Sequence, residues 1–317
     1  MTSKFRTPRA LLACALATLC AAPALAADSF LGDPDNVAAR WVRDNPRHPQ
    51  RAQIAQRIVA QPMARWVGGG NIRDWVAAYT GEAARQGKIP ILVAYNIPQR
   101  DCGQWSQGGE ANAAAYRRWL REQWVPALGQ GTVAVILEPD ALIHLTPGCL
   151  GQEGMASRLD LLGEAVDLMK QQAPNAHVYL DGGDGRWNGA DIMVPRLVAA
   201  NIQNARGFAI NVSNYNSTAD AVAMAERMRA MLADQYGIHS HYVIDTSRNG
   251  ASQYDGREWC NPGGRRLGPV PRLGGAGDSF DALLWIKTPG ASDGNCGIGK
   301  GTTSGVFYPS LAGELMK

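Results

Sequence analysis

The chain predicts one parallel α/β domain wound into a distorted seven-stranded (β/α) barrel, and three observations carry that prediction. Apolar runs such as Val133–Leu137 continue without a polar interruption, the pattern of a strand buried on both faces of a parallel sheet. These runs alternate with helical stretches, the order that builds βαβ units. Each run also stops at polar residues: 91–95 before Arg100-Asp101-Cys102, 133–137 before Asp140, 177–180 before Asp181 and Asp184, 208–210 before Asn211, 242–244 before Asp245, and 283–286 before Lys287 and Asp293. Chemistry in parallel sheets collects where strands end at their C-termini.

The elements follow in order. Residues 27–50 are polar and contain proline, with one helical stretch at 34–43, and read as an arm lying over the barrel. A helix is predicted over 51–60 and a short first strand over 65–67, ending at Gly68-Gly-Gly70. The next helix, 72–86, is closed by Gly87, a residue that accepts the left-handed turn at a helix end. The second strand starts after Pro90. Helix 111–128 offers Tyr116, Trp119 and Trp124 as its inner face. Beyond the third strand, helices are predicted at 155–173, 190–200 and 218–235. Residues 254–277 are rich in Gly, Pro and Arg without periodicity and read as a loop. The seventh strand is 282–286. No short repeat, linker or second domain is visible.

Residues 1–26 read as a signal peptide. Lys4, Arg6 and Arg9 precede a short apolar stretch at 11–19, and Ala24-Leu25-Ala26 supplies a small-residue cleavage site. The stretch is too short for a membrane anchor. Residues 27–317 are then the mature catalytic domain, exported to the periplasm or secreted. Three cations and no acid leave with the leader, so the net charge falls from +3 to zero. That balance suggests neither nucleic acid nor an anionic membrane as partner. Four of the six cysteines remain: Cys102, Cys149, Cys260 and Cys296. An even number in an exported chain implies two disulfides. Three pairings are possible, and loop position favours Cys102–Cys149 with Cys260–Cys296. No Cys-x-x-Cys spacing points to zinc.

Asp101, Asp140 and Asp181 follow adjacent strands and are expected to crowd one cleft. Like charges at close range raise the pKa of one member. A protonated acid facing an ionised partner is the equipment for cleaving a glycosidic bond. Trp66, Trp105, Trp187 and Trp259 fall in or beside the strand ends, and aromatic faces among carboxylates suit sugar rings. Other readings are weaker. Asp140 could cap a helix. Asp181 with Asp184 lacks the full spacing of a calcium loop. Glu138 reads as a buried structural residue paired with Arg or Lys. No metal and no cofactor is called for.

Seven segments in order carry a resemblance: Tyr95-Asn-Ile-Pro-Gln-Arg-Asp-Cys-Gly103, Leu137-Glu-Pro-Asp140, Tyr179-Leu-Asp-Gly-Gly183, Asn211-Val-Ser-Asn-Tyr215, Ile244-Asp-Thr-Ser-Arg-Asn-Gly250, Glu258-Trp-Cys-Asn261, and Trp285-Ile-Lys287 with Asp293-Gly294. The set resembles glycoside hydrolase family 6, the inverting cellulases, over about residues 40–315. The resemblance implies hydrolysis of β-1,4-glucan with inversion. It implies Asp140 as general acid and Asp101 as the aspartate that raises its pKa and orders water. Asp293 matches the proposed base, direct or through water, and Asp181 a carboxylate affecting substrate binding. Tyr95 matches the tyrosine that crowds the distorted sugar. Trp66, Trp187 and Trp259 match stacking platforms, and Asn214 and Lys287 polar contacts to substrate. The favoured cysteine pairing is also the family's. Asp184 and Ala291 depart from the pattern, where His and Glu are usual. Only 24 residues follow Asp293 and the segment between Trp259 and Trp285 is modest, which suggests an open groove and endo action on a β-glucan or cello-oligosaccharide; a monomer is expected. An exo-acting cellobiohydrolase or a non-catalytic glucan binder on the same fold are the alternatives.

Overall fold

The computed structural model describes residue 1 and residues 29–251, 256, 258–275 and 277–317. The expected signal peptide lies outside the described residues, as does part of the 254–277 loop.

Seven parallel strands run in sequence order around the sheet: β1 Arg65–Val67, β2 Ile91–Ala94, β3 Val133–Leu137, β4 Ala176–Asp181, β5 Gly207–Ile210, β6 His241–Asp245 and β8 Phe280–Leu284. The sequence predicted all seven. It did not predict β7, Arg272–Leu273, which pairs antiparallel with β8. Among the described residues the sheet therefore has eight strands and is mostly, not wholly, parallel. β7 lies on the free edge of β8 at Ala282 and Leu283. Further along, the backbone N–H of Ala64 donates to the Trp285 carbonyl at 2.9 Å. The sheet curls until β1 meets the chain leaving β8, with no β1–β8 ladder among the described strands.

The uninterrupted apolar runs have a simple origin. Side chains alternate along a strand, and here both sides are covered. Ile91, Val93, Ala134, Ile136, Tyr179, Ala209, Val243 and Leu284 form the inner cluster. Leu92, Ala94, Val133, Val135, Leu137, Leu180 and Phe208 pack outward against the helices. Burying one Val or Leu contributes about 1.5–3 kcal/mol, so a register slip in any strand would be opposed from both faces.

The helices carry local signals. α1, Val37–Asp44, is capped by Asn36, whose side chain accepts from the Ala39 N–H at 2.9 Å. α3, Arg73–Gln86, ends at Gly87 with φ 64°. The predicted helix over 111–128 is not uniform: Ala113–Trp119 widens into a π turn at Leu120–Trp124 before Val125–Ala127. Pro126 has no N–H for the carbonyl one turn back, and the wider turn absorbs the loss. α6, Pro147–Gln172, starts earlier than predicted, because Pro147 opens it and a break at Gly151 (φ 64°) sets off its first turn. A last helix, Pro309–Leu315, was not predicted. It packs with the N-terminal arm around Trp285 and Phe307.

Candidate active site

The strand ends open into one cleft of about 480 Å³. Trp66, Tyr95, Asp101, Asp140, Trp187, Asn214, Trp259, Lys287 and Asp293 all line it. The sequence thus brought together every predicted catalytic and substrate residue except Asp181. Asp181 does not face the cleft; it is 2% exposed and lies behind Asp140. Its Oδ2 accepts the Asp140 N–H at 2.7 Å and its Oδ1 the Gly183 N–H at 3.0 Å.

Several of these loops turn through the left-handed region at residues other than glycine. Gln99, Asp101, Cys102, Glu138, Asp140, Asn211, Ser213 and Asn261 have φ between 45° and 69°. Such conformations cost on the order of 1 kcal/mol each and persist only where their surroundings hold them. Around Asp101 the holding groups are explicit. The Asp101 Oδ2 accepts the Ser106 N–H at 2.6 Å, and Arg100 Nε donates to the Ser106 carbonyl at 2.9 Å. Arg158 on α6 donates to the Pro98 and Gln99 carbonyls at 2.7 and 2.9 Å. The Cys102–Cys149 disulfide ties the same loop to α6, and Cys260–Cys296 joins the loops bearing Trp259 and Asp293.

Buried carboxylates bind neighbouring strand ends together. Glu138 was expected to pair with Arg or Lys. Its oxygens instead accept the Asn96 N–H (2.8 Å), the Ile97 N–H (3.0 Å) and the Tyr116 hydroxyl (2.9 Å). These donors satisfy a fully enclosed group that bonds to no cation among the described residues, and burial still pushes it up to about 7. Asp245 accepts the N–H groups of Ser213 (2.9 Å), Ser247 (2.9 Å), Ile286 (3.2 Å) and Lys287 (3.0 Å). It fixes the ends of β5, β6 and β8 together.

The two sides of the cleft differ in charge. Burial raises the Asp140 carboxyl above its ordinary value. The charge of His144 opposes this, the charge of Asp101 adds to it, and Lys287 and a hydrogen bond from Tyr95 oppose it. Asp101 is also raised, again first by burial. Asp181 is pushed up to about 7 by burial and by the Asp140 charge. Asp293 goes the other way. Burial disfavours its charge, but Arg248 and Lys287 more than offset this and bring it to about 2. Arg248 Nη1 lies 2.9 Å from both Asp293 oxygens, Lys287 Nζ at 3.0 Å, and the Tyr215 hydroxyl at 2.8 Å.

The walls carry aromatic and polar groups. The Trp66 indole N–H donates to the Ile286 carbonyl at 2.8 Å, and its ring meets Tyr95 edge-on at 5.1 Å. Trp187 is 41% exposed and meets Trp259 edge-on at 6.3 Å. Asp184 accepts the N–H groups of Arg186 and Trp187 at 3.0 and 3.2 Å, so it orients the turn before Trp187 and does not line the cleft. Asn214 Oδ1 is buried without a partner among the described residues, an acceptor set in the wall. Ser106 Oγ and Ser304 Oγ lie 2.6 Å apart, so two loops touch at the rim. Sequence reasoning gave no role to Arg248, although it quoted the segment that holds it, and passed over His144, four residues after Asp140.

Comparisons with known proteins agree with this geometry. Residues 25–315 match the profile of Glycosyl hydrolases family 6. Endoglucanase 1 of Streptomyces halstedii is 43% identical over 326 residues, spanning 100% of this chain and 99% of the relative. Endoglucanase A of Thermobispora bispora is 41% identical over 300 residues, spanning 93% of this chain and 63% of that longer relative. The solved structure of endoglucanase Cel6 from Mycobacterium tuberculosis, in complex with a thio-linked cellobioside, superposes with a TM-score of 0.80 at 37% identity and covers 90% of this chain and 96% of that one. With its curled sheet, its paired aspartates and a match running almost end to end, the chain belongs to glycosyl hydrolase family 6.

Proposed function

We propose that this enzyme hydrolyses internal β-1,4-glucosidic bonds of cellulose or a related β-glucan, with inversion at the anomeric carbon. One observation carries the reading: one cleft is lined by Asp140, a carboxyl raised towards its protonated form by burial and by the charge of Asp101, and by Asp293, a carboxylate held ionised. The endoglucanases it resembles support the endo mode.

In this reading Asp140 donates a proton to the leaving oxygen, and Asp101, beside it, favours the protonated form. A water attacks from the opposite face, which in inverting enzymes needs carboxyls roughly 6.5–9.5 Å apart. Asp293, at about 2 and bonded to two cations, is a weak proton acceptor. Its charge orders the site, and the proton of the attacking water passes through solvent to Asp101. Tyr95 crowds the sugar at the cleavage point. Trp66, Trp187 and Trp259 stack on rings, and Asn214 and Lys287 bond hydroxyls. Asp181 acts from behind by holding the Asp140 backbone. The protein works as an exported monomer.

Proton NMR of the anomeric signals during cellohexaose hydrolysis tests the chemistry. Initial α-product is expected, and initial β-product would refute inversion. The Ser106–Ser304 contact favours a second reading, a partly roofed groove with exo action. Viscometry of carboxymethylcellulose decides between them. Rapid viscosity loss at low reducing-sugar yield is expected, whereas cellobiose release at constant viscosity would favour the exo mode.

A further inference from the structure

His144 has a combination of features that its surroundings leave unexplained. It lines the cleft together with Asp101, Asp140 and Trp187. It belongs to the turn that carries Asp140, with its backbone N–H donating to the Asp140 carbonyl at 3.0 Å. That turn is held from outside. Arg196 donates to the carbonyls of Leu142 (2.7 Å), Ile143 (3.2 Å) and Leu145 (3.1 Å), and the Thr146 N–H bonds the His144 carbonyl at 2.8 Å. The backbone is therefore fixed without help from the imidazole.

The ring itself is spent on no such task. Its Nδ1 is buried with no hydrogen-bond partner among the described residues. Buried polar atoms are nearly always paired, and an exception calls for a reason. A proton on Nδ1 would sit without an acceptor, so the tautomer that carries it on Nε2 is favoured. The ring is also close enough to act on both acids: if protonated, its charge would oppose the upward shift of Asp140 and of Asp101. Asp140 on its own turn and Asp101 from the loop after β2 are the charged groups it faces, with Lys287 and Arg100 acting on the same pair.

We propose that His144 is a substrate-contacting residue, donating a hydrogen bond from Nε2 to a hydroxyl of the glucan ring at the cleavage point. This rests on the glucan-hydrolase reading above. A preset donor on a rigid turn binds a hydroxyl with little loss of side-chain freedom. Sugar hydroxyls accept readily from such an N–H.

The test uses the full enzyme and three variants, His144→Ala, His144→Asn and His144→Gln, with cellohexaose as substrate. Glutamine can place an N–H near the position of Nε2, and asparagine cannot reach it. The expected result is a fall in kcat/KM of about three- to tenfold for Ala and Asn, carried mainly by KM, with substantial recovery in Gln. Melting temperatures should match wild type. If Ala fails to fold, the Gln–Asn comparison still decides. Unchanged kcat/KM in all variants overturns the proposal. So does a displaced alkaline limb of the pH profile with unchanged KM, which would mean that His144 acts on Asp140 through its charge alone. Wild-type enzyme inactive on every β-1,4-glucan would instead sink the functional reading.

Discussion

Replacing Arg248 by Met should show how strongly the cleft depends on one ion pair. Asp293 is 6% exposed and held by Arg248 and Lys287. Together they bring its carboxyl to about 2 against an ordinary 3.8. At roughly 1.4 kcal/mol per pH unit, that difference is about 2 kcal/mol of stability. Because folding lowers this pKa, the contribution is complete above about pH 4 and disappears as pH falls towards 2. Removing Arg248 also leaves the buried carboxylate with Lys287 as its remaining cation partner among the described residues, and breaking a buried pair costs about 3–5 kcal/mol. The expected loss in Arg248→Met is therefore about 3 kcal/mol at pH 7. It should shrink to less than half by about pH 3, where Asp293 of the variant is protonated and its isolation no longer matters. Urea unfolding followed by tryptophan fluorescence at both pH values measures this. A loss below about 1 kcal/mol at pH 7, or an equal loss at both, would refute the argument.

Three further outcomes are expected. Asp140→Ala should abolish hydrolysis of unactivated glucans and keep binding, with aryl glycosides of good leaving groups partly rescued; wild-type turnover of cellohexaose would remove Asp140 from its role. Asp101→Asn removes the proton acceptor of the proposed reaction and a negative charge that raises the Asp140 pKa, so kcat should fall sharply and the alkaline limb of the residual activity should move to lower pH, and a limb that stays or rises would contradict that coupling. Reduction of Cys102–Cys149 and Cys260–Cys296, which span 47 and 36 residues, should lower the melting temperature, each bridge contributing up to about 4 kcal/mol in the chain-entropy picture; unchanged melting under reductant would count against the bridges.

The seven parallel strands were legible because burial on both faces writes an unbroken apolar run. β7 was not, since two residues carry no period, and its partner β8 is fixed only by the folded edge. The strand-end aspartates were legible as a group, but not the direction in which each points. Beyond Leu137 the chain turns left-handed at Glu138 and again at Asp140, and alternation along the strand no longer says which side chain faces the cleft. Asp181 was expected in the cleft with Asp101 and Asp140; it ends β4 still inside the ladder, and the left-handed turn at Asp140 brings that residue's backbone N–H onto its Oδ2. Arg248 was opaque for another reason. An arginine in a loop reads as solvated, and its burial depends on Asp293, 45 residues further along.

Glu138, Asp181 and Asp245 each clasp backbone N–H groups of an adjoining strand end. An amide in their place would bring an N–H of its own against those donors. This divides the residues of the rim into two sorts for anyone wishing to retarget the enzyme. Trp187, Trp259 and Asn214 belong to the wall and can be varied to suit another polysaccharide. The three clasps must stay carboxylates, because a new specificity grafted above them inherits its alignment from the strand ends they hold.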